Sequence, residues 1–127
     1  MSMQFQRMVE EARKRVRELD PAETKGLVER GEVQVLLDVR EPDEWRRGRL
    51  PGAIHVPLGT LRSRADPSSP MANRELTGGL QASIVAYCAR GNRSVLAADL
   101  LQKMGYTNVA SMRGGIVDWA KEGYPVE

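Results

Sequence analysis

Ser83-Ile84-Val85-Ala86-Tyr87-Cys88-Ala89-Arg90-Gly91-Asn92-Arg93-Ser94, running on through Val95-Leu96-Ala97-Ala98-Asp99-Leu100-Leu101-Gln102-Lys103-Met104, is the stretch that decides the fold. Ile84 to Tyr87 is a short apolar run of the kind that forms a buried strand. It stops at Cys88, the only cysteine in the chain. The six residues from Cys88 to Arg93 carry one glycine and two arginines. A helical pattern follows from Ser94, and Gly105 closes it. This order places a sulfur between the C-terminal end of a strand and the N-terminus of a helix. Unpaired N–H groups and the positive end of the helix dipole favour an anion there. Arg90 and Arg93 add positive charge, and Gly91 lets the backbone turn toward the sulfur. The expected chemistry is that of a cysteine held ready as the thiolate, its nucleophilic form.

Working outward, Val33 to Val39 reads as a second strand. Its apolar centre Val35-Leu36-Leu37 indicates burial on both faces, as in a parallel sheet. Asp38, Arg40 and Glu44 crowd its C-terminal end, where sites gather in open parallel sheets. Pro42 to Arg47 is expected to form a short helix. Ile54-His55-Val56 is a brief strand, residues 57–64 are expected to contain a helix through Leu58 and Leu61, and Thr107 to Ala110 is a further strand. A last helix passes through Trp119. Asp20-Pro21-Ala22-Glu23 is a helix start with an N-cap, a proline at the first position and a capping-box partner. Strand and helix alternate from residue 21 onward, which predicts an α/β fold with a mainly parallel central sheet flanked by helices on both faces. Before it, Phe5, Met8, Val9, Ala12, Val16 and Leu19 share one face at helical spacing, predicting a helix over residues 4–18. Residues 1–19 are therefore read as an amphipathic helical extension, and residues 20–127 as a single domain.

Composition narrows the function. The chain has 127 residues, 41% hydrophobic and 28% charged, with a net charge of +2. That charge, with acidic and basic residues interleaved, offers no nucleic-acid surface. No apolar run approaches the ~20 residues of a membrane span. One cysteine forbids an internal disulfide, in keeping with a reducing, cytoplasmic location. With one His and one Cys, no zinc site is expected.

Leu37-Asp38-Val39-Arg40-Glu41-Pro42-Asp43-Glu44-Trp45, followed by Gly48-Arg49-Leu50-Pro51-Gly52-Ala53-Ile54-His55-Val56-Pro57, resembles the N-terminal signature of rhodanese domains. Cys88 to Ser94 is similar to their six-residue active loop. Met104-Gly105-Tyr106, Arg113-Gly114-Gly115 to Trp119 and Gly123-Tyr124-Pro125 match their closing segments. The resemblance covers about residues 20–127 and implies a rhodanese-like fold and sulfurtransferase chemistry without metal or organic cofactor. Cys88 would take sulfane sulfur from thiosulfate or another small sulfur anion, or from a persulfide, and hold it as a persulfide. It would then pass the sulfur to cyanide, a thiol or a protein acceptor. Ala89, Arg90, Gly91, Asn92 and Arg93 would form the anion-binding loop. Asp38 and Glu44 are candidates to brace Arg93 or to frame the loop entrance. Arg40 would either bind an anionic donor or pair with a carboxylate. Phosphatases of the same fold set five residues between cysteine and arginine, whereas four separate Cys88 from Arg93. The smaller ring suits a sulfur anion. Two other readings stay open: a persulfide carrier that docks on a partner with little turnover, and a redox-sensing thiol. Monomer and homodimer are both compatible with the sequence.

Overall fold

The computed structural model describes residues 2–127. In chain order the elements are α1 (Met3–Arg13), β1 (Arg17–Leu19), α2 (Pro21–Glu29), β2 (Val35–Asp38), α3 (Pro42–Arg46) and β3 (Ile54–His55). A 3-10 turn (Leu58–Thr60), α4 (Leu61–Arg64), β4 (Ile84–Tyr87), α5 (Arg93–Lys103), β5 (Val109–Met112) and α6 (Gly115–Lys121) complete the chain. The five strands form one sheet in the order β1-β5-β4-β2-β3, and every ladder is parallel. All residues of β2, β4 and β5 are buried, as their apolar runs require of strands covered on both faces.

Side chains alternate across these strands and feed two cores. Val35, Leu37, Ile84, Ala86 and Val109 meet Val9 and Ala12 of α1, Leu61 of α4, and Val95, Ala98 and Leu101 of α5. Leu36, Val85, Tyr87, Ala110 and Met112 meet Leu27 of α2 and Trp119 of α6 on the other face. The Asp20 start behaves as read. Asp20 accepts from the Glu23 N–H at 2.7 Å, and the Glu23 carboxylate accepts from the Asp20 N–H at 3.0 Å.

Two elements depart from the sequence reading. The N-terminal helix ends at Arg13, and Arg17–Leu19 is an edge strand in register with Ala110–Met112. Val16 and Leu19, counted there as one helical stripe, enter opposite cores, which a strand permits and a helix does not. The last strand lies at Val109–Met112 rather than Thr107 to Ala110. The Thr107 N–H is instead bonded to the Leu80 carbonyl at 2.8 Å.

β2 and β4 are neighbours whose onward connections leave in opposite directions, to β3 and to β5. Residues Asp38 and Tyr87 face each other at their ends. That is the crevice in which open parallel sheets place ligands. The turn after β5 closes on the same end. The Ile116 and Val117 N–H groups bond the Cys88 and Ala89 carbonyls at 2.9 and 3.1 Å. This approach depends on Gly115, at φ +58°, where a Cβ would lie 2.4 Å from both carbonyl oxygens. Gly115→Ala is accordingly expected to lose about 2–4 kcal/mol from combined strain and overpacking. Gly59→Ala, where a Cβ meets nothing, should be close to neutral. Denaturant unfolding compares the two, and equal midpoints would show that the close approach is not needed.

Candidate active site

Cys88 follows β4 directly and is 2% exposed. Its sulfur accepts the Gly91 N–H at 3.1 Å and the Ser94 N–H at 3.4 Å. α5 has no side-chain cap on its Asn92 N-cap. The sulfur takes that place, accepting a first-turn N–H that would otherwise lack an intrahelical partner. Gly91 makes the curl of the loop feasible. It sits at φ +96° with its would-be Cβ 2.9 Å from the Gly114 nitrogen.

A hydroxyl relay sits behind the sulfur. Ser94 Oγ lies 3.5 Å from Cys88 Sγ and accepts from Ser111 Oγ at 2.8 Å; both serines are fully buried. With the Ser111 hydroxyl donating to Ser94, the Ser94 proton is free to point at a sulfur anion. Neither serine was singled out as a site residue from the sequence. The signal available for Ser111 was a polar residue next to an apolar strand, which reads equally as the strand's end.

Arg93 and Glu44 form a fork-to-fork pair, Nη1 to Oε1 at 2.7 Å and Nη2 to Oε2 at 3.0 Å. The Glu44 carboxylate also accepts the Glu41 N–H at 3.0 Å. The Arg93 hydrogen bonds, with that N–H, hold its pKa down to about 2, while Arg93 is raised, chiefly by the same pair. The structure thus brings Glu44 to Arg93, but not Asp38. Asp38 is fully buried and grips Arg40, whose Nε and Nη2 donate to it at 3.1 and 2.8 Å. Arg40 Nη2 also donates to the Gly48 carbonyl at 2.6 Å, and Arg40 is 5% exposed. Of its two expected roles the structure shows the carboxylate pairing. The reason lies in the chain: two residues apart at a strand end, these side chains reach each other before either reaches the loop. Burial, and then the Asp38 charge, push the Tyr87 phenol far above its usual range. Its oxygen accepts the Leu50 N–H at 3.1 Å. His55 lies against the Arg40 carbonyl, Nε2 to O 2.7 Å, and stacks on Trp45, in keeping with a structural histidine.

The pocket at the loop encloses about 340 Å³ and is lined by Cys88, Ala89, Arg90, Asn92, Arg93 and, from α1, Phe5. Arg13 of α1 donates to Asn92 Oδ1 at 3.1 Å and pairs with Glu18 of β1. Phe5 and Arg13 lie far from the loop in sequence and carry no local signature, so only the tertiary arrangement reveals them. Among the described residues no group of His, Cys, Asp or Glu is placed to hold a metal ion. No helix among them is long and apolar enough to cross a membrane.

Comparison with known proteins agrees with this geometry. The rhodanese-like domain family model matches residues 20–122. A Schizosaccharomyces pombe mitochondrial protein named for thiosulfate sulfurtransferase activity is 33% identical over 91 residues, 68% of this chain and 63% of that one. The chain therefore spans less than two thirds of that relative. A sulfurtransferase of Allochromatium vinosum is 34% identical over 92 residues, covering 72% of this chain and 77% of its own. A solved structure from Rhodopseudomonas palustris, a protein of unknown function for which tyrosine phosphatase activity has been raised, superposes with a TM-score of 0.91. It is 34% identical and covers 100% of this chain and 96% of its own, so it spans α1 and β1 as well. The fold, the cysteine loop and these matches lead to one conclusion: the chain belongs to the rhodanese-like domain family of sulfurtransferases.

Proposed function

We propose that this protein transfers sulfane sulfur through a persulfide on Cys88. The observation that carries the reading is the sulfur of Cys88 capping α5, with the Gly91 and Ser94 N–H groups directed at it. In the first half-reaction the Cys88 thiolate attacks the outer sulfur of a donor such as thiosulfate. The donor's S–S bond breaks and sulfite leaves with the electron pair, so Cys88–S–S⁻ and sulfite balance the thiolate and thiosulfate consumed. In the second, a thiol or cyanide attacks the terminal sulfur, and the Cys88 thiolate departs as it was. The positive ends of the loop dipoles stabilise the negative charge in both states and need not reorient between them.

Phosphoryl transfer is disfavoured on two grounds. The loop has six residues from Cys88 to Arg93, and the Arg93 fork is directed to Glu44 instead of inward. A tetrahedral oxyanion would lack the bidentate donor that such chemistry uses. We place the protein in a cytoplasmic setting, with a small sulfur anion or persulfide as donor and a thiol, cyanide or protein as acceptor. The absence of a second cysteine for an internal disulfide supports a reducing compartment.

Incubation with thiosulfate or glutathione persulfide, followed by intact mass, is expected to add one sulfur atom to the wild type and none to Cys88→Ala. Steady turnover with cyanide separates catalysis from mere carriage. Failure of every sulfane donor to load Cys88 would reject sulfur transfer altogether. Glu44→Gln should slow loading by releasing the Arg93 side chain. It should also cost about 0.5–1 kcal/mol near neutral pH, since the pair is partly solvated. Because the folded-state pKa of Glu44 is depressed, its contribution is present above the ordinary value of 4.5 and lost as pH falls toward about 2. Denaturation of both proteins across that range should show the gap closing with acid. A constant gap would exclude the Glu44 charge as its source.

A further inference from the structure

We infer that α1 completes the active site, and that Phe5 selects donors in which the sulfane sulfur is attached to an apolar organic group. The inference rests on the sulfur-transfer reading above and adds the substrate class. Three observations converge on it.

Phe5 is half-buried, packs against the core that contains Cys88, and lines the same pocket. Its position is built rather than incidental. Ser2 caps the helix by accepting the Phe5 N–H at 3.1 Å, and Val9 and Ala12 are buried under α1. Beyond the helix end, Arg15 forks onto Asp99 of α5 with two 2.9 Å bonds, and Gln102 donates to the Arg15 carbonyl at 3.0 Å. α5 is the helix whose N-terminus holds the sulfur, so the ring and the nucleophile are fixed to one rigid element.

The charges of the pocket are unequally available. Arg93 is paired with Glu44, whereas Arg90 is exposed and pairs with none of the described residues. With Ala89 beside Cys88, the pocket presents one available cation and one aromatic ring near the Cys88 sulfur. This arrangement matches a monoanion with an apolar substituent, R–SO₂–S⁻ or R–S–S⁻, better than the small, strongly hydrated thiosulfate dianion. Transfer from the first type is balanced. The Cys88 thiolate attacks the outer sulfur, the S–S bond breaks, and the sulfinate R–SO₂⁻ leaves with the electron pair; from R–S–S⁻ the thiolate R–S⁻ leaves in the same way.

The test compares benzenethiosulfonate with thiosulfate, measuring Cys88 persulfide formation by intact mass and kcat/KM with cyanide as acceptor. Phe5→Ala is expected to lower kcat/KM for benzenethiosulfonate roughly tenfold, mainly through KM, as loss of an apolar ring contact predicts. Thiosulfate should change by less than about twofold, having no group to meet the ring. Arg90→Gln should weaken both donors, because both are anionic. Phe5→Leu keeps α1 packed if the alanine variant is unstable, and should lie between wild type and Phe5→Ala for benzenethiosulfonate alone. Equal changes for the two donors, or none, would overturn the role of Phe5 while leaving sulfur transfer intact. A wild type that accepts sulfur from neither donor would instead remove the reading on which this inference rests.

Discussion

The structure depends on one acceptor being placed where a helix begins. α5 starts without a side-chain cap, and the sulfur of Cys88 receives the Gly91 and Ser94 N–H groups. A neutral thiol is a weak acceptor, so these donors are best satisfied when the sulfur is charged. Folding and reactivity thus draw on the same contact. The contact that lets the helix start well is also the one that would stabilise a sulfur anion there.

The surrounding features serve to hold that contact still. β4, buried on both faces, fixes where the thiol emerges, and the glycine turn before α6 lets two N–H groups grip the loop's carbonyls. Glu44 draws Arg93 to one side, and the Asp38–Arg40 pair ties the neighbouring strand end to the chain at Gly48. A buried pair of this kind adds little net stability, because desolvation offsets much of the attraction, but breaking it would strand a charge. Its use here is to fix the shape of the β2 end beside β4. On the far side, the segment that follows α1 is bound to α5 by Arg15, and α1 touches the loop through Arg13.

Much of this was readable from local sequence. The Asp20-Pro21-Ala22-Glu23 cap, the doubly buried strands at Val35–Asp38 and Ile84–Tyr87, and the cysteine loop all carry their physics within a few residues. The Glu44–Arg93 pair could be anticipated because each follows the C-terminal end of one of two adjacent strands, Glu44 in α3 and Arg93 at the start of α5. The rest was hidden because it arises only when distant segments meet. Arg17–Leu19 is three residues long and two of them are charged, so only the free edge of β5 makes it a strand. Ser111 earns its buried place through Ser94, which lies on another element. For Asp38 the sequence suggests a role at the loop, and for Arg40 it leaves donor binding and carboxylate pairing equally open, because sequence shows proximity to a site but not which partner is reached first.

On the proposed reading, a solitary cysteine would limit how a stored sulfur is released. In proteins with a neighbouring thiol, a persulfide can collapse into a disulfide and discharge hydrosulfide within the same molecule. This chain supplies no such partner, and Cys88 lies almost wholly below the surface. On the proposed reading, a sulfur loaded there would be protected from self-discharge within the chain and would wait for an outside nucleophile. Retention of the cargo and the choice of its recipient would then both be set at the pocket beside the loop.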